Sequence, residues 1–276
     1  QFGLPCHVSI CRNDGLVFLS PRWSAERYEN FYRDEYDSYY RPQTLGTQDD
    51  RSKYQKVRQM CDRLDAKGFM VNRSSVLDIG AGMAWSLDWL KRNYENFTEF
   101  AAIESSEHCV RNIRETVGAR VLANTVTAEW TGSFDLVIMR HVLEHFLDPI
   151  SVLKKVAQNL SDNGVIYIAV PDSFDLSLGR QTLRHYYYRV VHTYYFSQPT
   201  LTTFTRLAGL HPLVMDNEDG EIWGVFRKAN ESDPAEALPN IYEKQLAVLN
   251  EQSREDFFPD MKFAVKDVIK KILGRR

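Results

Sequence analysis

The run Val76-Leu77-Asp78-Ile79-Gly80-Ala81-Gly82-Met83 constrains this chain more than any other. An apolar strand pattern runs into two glycines, and a helical pattern follows from about Ala84 to Tyr94. Glycine accepts positive φ and lets a ligand approach the backbone at the carboxyl end of a strand. The helix behind it offers free N–H groups to a carboxylate or phosphate. Such a unit needs a sheet to belong to.

The following residues supply one. Strand patterns recur at Ser75–Ile79, Glu99–Ile103, Ala119–Ala123, Phe134–Met139 and Gly164–Val170. Helical patterns separate them at Ser105–Val117 and Pro149–Leu160, the second with proline in its first turn. Repeated β-α units imply a parallel sheet with helices on both faces. A helix near Pro199–Ala208 comes next, then strand runs at Pro212–Met215 and Glu221–Arg227. Asn217-Glu218-Asp219-Gly220 between them is a hairpin signal.

Four parts follow. Residues 1–53 form an aromatic N-terminal segment, and residues 54–228 form the α/β domain. A tyrosine-rich insert occupies 172–198, and residues 229–276 form a polar linker with a basic amphipathic helix. Ser24 is placed to cap a helix whose Tyr28, Phe31, Tyr32 and Tyr36 share one face. That stripe is either a lid over the site or packing against the core.

With 43% hydrophobic residues in 276, the chain can build its core without disulfides or metals. Its four cysteines are too irregularly spaced for a disulfide framework. Cys6, Cys11 and His7 do not complete a zinc set, and the reading assigns no metal. A net charge of −3 argues against nucleic acid as partner. No run is long enough to cross a bilayer, and the N-terminus lacks a signal-peptide pattern. The expected location is cytoplasmic.

Asp78, just before the glycine turn, suits an ammonium group. Glu104, ending the second strand, stands where nucleotide folds place an acid on ribose hydroxyls. A dinucleotide fold shares both features but needs a third glycine, and Trp85 occupies that place. Its indole would obstruct a pyrophosphate, and the Asp78 carboxylate would repel one.

These features together resemble a class I S-adenosylmethionine-dependent methyltransferase, whose motif reads V-L-D-x-G-x-G. The run His141-Val142-Leu143-Glu144-His145-Phe146-Leu147-Asp148-Pro149 resembles the V-L-E-H-V-x-D-P signature of that family. Gly164 with Pro171, and His192 through Tyr195-Phe196-Ser197 to Gly209, resemble two further segments. The resemblance covers about residues 72–228. It implies a Rossmann-like seven-stranded sheet ending in an antiparallel hairpin, with S-adenosyl-L-methionine as cofactor. Asp78, Gly80, Ala81 and Gly82 would line its methionine end. Glu104 and Ser105 would hold the ribose, and Asn124, Arg140 and His141 would border the adenine. Asp135 is read as structural.

Methyl transfer from a sulfonium is an in-line displacement, and a hydroxyl acceptor needs a general base. His141, His145, His185 and His192 are candidates, with His192 and His145 preferred. Cys11 through Arg22 resembles the N-terminal element of bacterial methyltransferases acting on sugars in surface-polysaccharide synthesis, with Asp14 in place of its second cysteine. The expected acceptor is therefore a saccharide or glycan, methylated on a hydroxyl or a terminal phosphate. The arginines and tyrosines of 180–189 either stack on sugar or pack as a helix. The run Met261–Leu273 either meets an anionic inner-membrane surface or a glycosyltransferase, or docks on its own domain. A quinone or other metabolite methyltransferase and a non-catalytic scaffold are the rival readings.

Overall fold

The computed structural model describes residues 7–36, 51–175, 189–234 and 239–251. His185, Cys6, the run 180–188 and the C-terminal run from Met261 lie outside them.

The sheet has seven strands in the order β5-β4-β3-β6-β7-β10-β9. These are β3 (Ser75–Ile79), β4 (Glu99–Ile103), β5 (Arg120–Ala123), β6 (Phe134–Arg140), β7 (Leu160–Pro171), β9 (Leu210–Glu218) and β10 (Glu221–Lys228). Strands β3 to β7 are mutually parallel, and β10 runs antiparallel to both β7 and β9. Parallel neighbours need a crossover, and the helices supply it.

Alternation along the strands divides the core. Leu77, Val137, Met139, Ile166, Ile168 and Ile222 face one side and pack under α5 (Pro149–Gln158) and α6 (Gln198–Leu207). Val76, Leu136, Ile138, Tyr167, Ala169 and Trp223 face the other side. There they meet α2 (Arg51–Ala66) and α3 (Trp85–Asn93). Helix α4 (Glu107–Asn112) continues as a π-helical turn, Ile113–Val117. Both faces of the central strands are thus dry, which is why they read as continuous apolar runs.

Local signals account for several boundaries. Asp148 caps α5 through Ser151 N, with Pro149 in the first turn. Asp219 and Gly220 both have positive φ, so the β9–β10 hairpin closes through a two-residue turn of the primed kind. Asp135 is structural as read. Its Oδ2 accepts from Ser74 N at 2.8 Å and Ser75 N at 3.2 Å, and its Oδ1 accepts from Ser161 Oγ at 2.7 Å. These bonds tie the starts of β3, β6 and β7 together.

A second, three-stranded sheet joins distant parts of the chain. β1 (Val8–Ile10) pairs with β2 (Val17–Leu19), and β2 pairs with β8 (Tyr194–Tyr195), all antiparallel. Asp14 Oδ1 accepts from Leu16 N in the β1–β2 turn. Helix α1 (Ala25–Asn30) follows, capped by Ser24 Oγ on Arg27 N, and a π-helical turn, Phe31–Glu35, extends it. Among the described residues no helix is long and apolar enough to cross a membrane.

Candidate active site

The carboxyl ends of β3, β4 and β6 converge on the glycine turn. Gly80 and Gly82 take φ of 72° and 54°, the left-handed region that glycine occupies without strain. Ala84 follows at φ 61°, a cost that no residue in the motif signals. A Cβ added at Gly80 would lie 2.9 Å from Val142 Cγ2. The turn therefore rests directly against the run after β6.

Glu104 is buried beside this turn. Its Oε2 accepts from Gly82 N at 2.7 Å and its Oε1 from Ser106 N at 2.9 Å. The carboxylate is fixed in one orientation, with acceptor capacity remaining for hydroxyl donors. Ser106, not Ser105, caps α4, and Ser105 is exposed. Ala81 is buried within the turn, and Asn124 is exposed just past β5.

Asp78 is buried under α3. Burial pushes its carboxyl up to about 7, with Glu104 adding to the effect; Ser86 and Arg140 oppose it only in part. An ammonium group placed beside Asp78 would restore the charged form. A buried carboxylate wanting a cation, an oriented carboxylate for hydroxyls and two glycines between them fit the methionine and ribose portions of S-adenosylmethionine.

The run after β6 carries the second half. His141 has φ 52°, and its Nε2 lies 2.7 Å from Glu221 Oε2. Arg140 NH2 reaches the same oxygen at 3.4 Å, and Arg63 NH1 holds Glu221 Oε1 at 3.0 Å. Arg140 and His141, expected beside the adenine, thus turn their side chains toward β10. In the strand order that is the side of β6 away from β4 and β5. Burial lowers His141, but Glu144 and Glu221 outweigh it and raise its pKa. Burial would raise Glu221, yet His141, Arg140 and Arg63 hold it at about 2.

The two preferred histidines come together. His145 ends a 3₁₀ turn, Leu143–His145, and His192 comes from the C-terminal part of the insert. Their rings meet edge to face with centroids 4.8 Å apart. Thr193 ties the two segments, its N and Oγ1 donating to Glu144 O at 2.8 and 3.0 Å. Burial lowers both imidazoles, and His192 falls to about 3, helped by His145. Tyr32 from the N-terminal segment packs edge-on against His145, its hydroxyl 2.9 Å from His145 Nδ1. Tyr28 OH donates to Val190 O at 2.8 Å, while Phe31 is fully buried. The aromatic stripe therefore both packs against the core and touches His145.

Sequence reasoning missed Glu221, Arg63 and the reach of Tyr32. Glu221 had a signal: an acid opening a strand that is otherwise apolar is buried only with partners. Tyr32 had its place in the aromatic stripe but no signal for its partner, and Arg63 had none, since their contacts lie far along the chain.

The family profile described as "Methyltransferase domain" matches residues 47–213, more than half of the chain. Among solved structures, the chain resembles an S-adenosylmethionine-dependent methyltransferase of Clostridium acetobutylicum at 13% identity and a TM-score of 0.51. That match covers 71% of this chain and 96% of the other. It also resembles the PH0226 protein of Pyrococcus horikoshii at 17% identity and a TM-score of 0.53, covering 75% of this chain and all of the other, 100%. At these identities the likeness bears on the fold. A search of curated proteins returns no match.

Proposed function

This chain belongs to the methyltransferase-domain family and takes S-adenosylmethionine as its cofactor; from that premise we propose that it methylates a hydroxyl of a saccharide or glycan. The bound sulfonium supplies the methyl group. Ionised Asp78 pairs with the ammonium of the cofactor, and Glu104 accepts from the ribose hydroxyls. Gly80, Ala81 and Gly82 admit the ligand against the backbone. Ser105 and Asn124 flank the nucleoside beyond β4 and β5. Arg140, His141 and Glu221 brace the run that carries Glu144 and His145.

The observation that carries the choice of a hydroxyl is the group Glu144, His145 and His192, two of them on the run whose Val142 rests against the glycine turn. A phosphate or carboxylate acceptor is nucleophilic without activation and would face the carboxylates of Glu144 and Glu221. A neutral hydroxyl meets no such repulsion and needs the activation that neutral imidazoles provide. The sugar class rests on the resemblance of residues 11–22 to sugar-acting methyltransferases. Peripheral contact with a membrane or a glycosyltransferase through the C-terminal run remains part of the same reading.

The test is transfer of labelled methyl from S-adenosylmethionine to a panel of nucleotide sugars, oligosaccharides, sugar phosphates and quinols. Label on a sugar hydroxyl, reduced about 100-fold or more in His192→Ala by the usual worth of acid–base groups, supports the reading. Label only on phosphate or on quinols overturns it.

A further inference from the structure

The Glu144 side chain is 2% exposed, yet among the described residues neither of its carboxylate oxygens has a hydrogen-bond partner. Its Oε1 lies 3.7 Å from His141 Nδ1 and 3.9 Å from His145 Nε2, both beyond hydrogen-bond distance. A buried carboxylate in that state calls for a cation. His141 is already engaged by Glu221 through Nε2, at 2.7 Å.

The other two imidazoles differ. His145 Nδ1 lies 3.0 Å from Val191 O and 2.9 Å from the Tyr32 hydroxyl. The carbonyl can only accept, so the tautomer that satisfies it carries the proton on Nδ1 and leaves the hydroxyl as a second acceptor. That leaves Nε2 an acceptor, and it faces a second acceptor, Glu144 Oε1, with no hydrogen bond between them. Fixing one imidazole nitrogen on a backbone carbonyl is how proteins aim the other at a metal. His192 brings a third donor atom. One ligand atom from each of Glu144, His145 and His192 lies within 4.8 Å of the others.

We propose that Glu144, His145 and His192 hold one divalent transition-metal ion of the zinc kind, with a coordination position left open for an outside oxygen. Two imidazoles and a carboxylate suit such an ion and leave room for an outside oxygen. The contraction needed is modest, because ligand atoms about 2 Å from one ion lie roughly 3–4 Å apart. The half-buried histidines keep the group in reach of solvent and acceptor.

The occupant of the open position rests on the methyl-transfer reading, whereas the ion site does not. There the acceptor hydroxyl coordinates the ion, which acidifies it, and its proton leaves to water. The alkoxide oxygen forms the new O–C bond. The C–S bond of the sulfonium breaks, its electron pair staying on sulfur. The histidines then act as ligands, where direct base catalysis would leave them free.

The experiment is calorimetric titration of zinc chloride into the full chain after chelator treatment. Wild type is compared with Glu144→Gln and His192→Ala, and S-adenosylmethionine is titrated separately into each metal-free protein. One equivalent of zinc in wild type, bound at least about 10-fold more weakly in each variant, is the expected result. Absence of stoichiometric zinc, or wild-type zinc affinity in both variants, overturns the site. Should a variant fail to fold, cobalt added to wild type gives a second reading. Strong visible bands of a four- or five-coordinate ion are expected, and the weak spectrum of an aquo ion overturns the site. Cofactor affinity that survives while zinc fails to bind would remove the ion and leave the methyl-transfer reading standing.

Discussion

Asp78 sets the pH behaviour of the cofactor half. Burial, with Glu104 close by, raises its carboxyl to about 7 against an ordinary value of about 3.9. As pH rises through that window, the unfolded chain releases its proton first, so this group's contribution to stability falls. A bound ammonium reverses the preference, because it needs the carboxylate. Affinity for S-adenosylmethionine should therefore climb with pH up to about 7 and level off above it. Titrations across that range should show the climb in wild type and lose it in Asp78→Asn. A flat wild-type profile would take Asp78 off the ammonium. Asp135 makes the opposite kind of contribution. It ties three strand starts, and Asp135→Ala should cost about 1–3 kcal/mol in urea unfolding with cofactor affinity little changed. Its carboxyl is held at about 2 by the hydrogen bonds of Ser74, Ser161 and Ser75, which offset its burial. The stability it provides is present above the ordinary carboxylate range and disappears as pH falls toward 2.

The glycine turn is the element on which both halves of the site depend. Gly80→Ala imposes a left-handed residue, costing about 1–2 kcal/mol, and drives a methyl group to 2.9 Å from Val142. Such a variant should melt lower and lose most cofactor binding, as thermal unfolding and calorimetry would show. Normal melting with full affinity would mean the turn tolerates what its geometry forbids. This turn was legible because strand, glycines and helix are contiguous in the chain, and the β3 and β4 limits, Ser75–Ile79 and Glu99–Ile103, agree with the sequence reading. Helix α2 went unread although Val57, Met60, Cys61 and Leu64 carry helical spacing, because charged and polar residues dominate it. β1, β2 and β8 have only two or three residues each, too few for an alternating pattern to register.

At the scale of the molecule, the two halves of the site differ in how they are built. The cofactor half comes from consecutive residues at strand ends, so Asp78, Gly80, Gly82 and Glu104 were readable as a set. The proposed acceptor half is assembled by folding: His192 meets His145, Tyr32 arrives from the N-terminal segment, and Glu221 from the last strand. The two histidines could be anticipated singly, as near-neutral bases after the fourth strand and in the insert, and the tyrosine stripe as a lid, but their meeting could not. The N-terminal segment is joined to the domain by the β2–β8 pairing, and its aromatic stripe packs against His145. The central claim is that this assembly binds S-adenosylmethionine at the glycine turn. Calorimetric titration of S-adenosylmethionine and S-adenosylhomocysteine, with NAD as control, tests it on wild type and Glu104→Ala. Micromolar-range binding of both sulfur ligands, about −8 kcal/mol, weakened in the variant and absent for NAD, is the expected result. Failure of both sulfur ligands to bind, or binding of NAD in their place, would contradict the account.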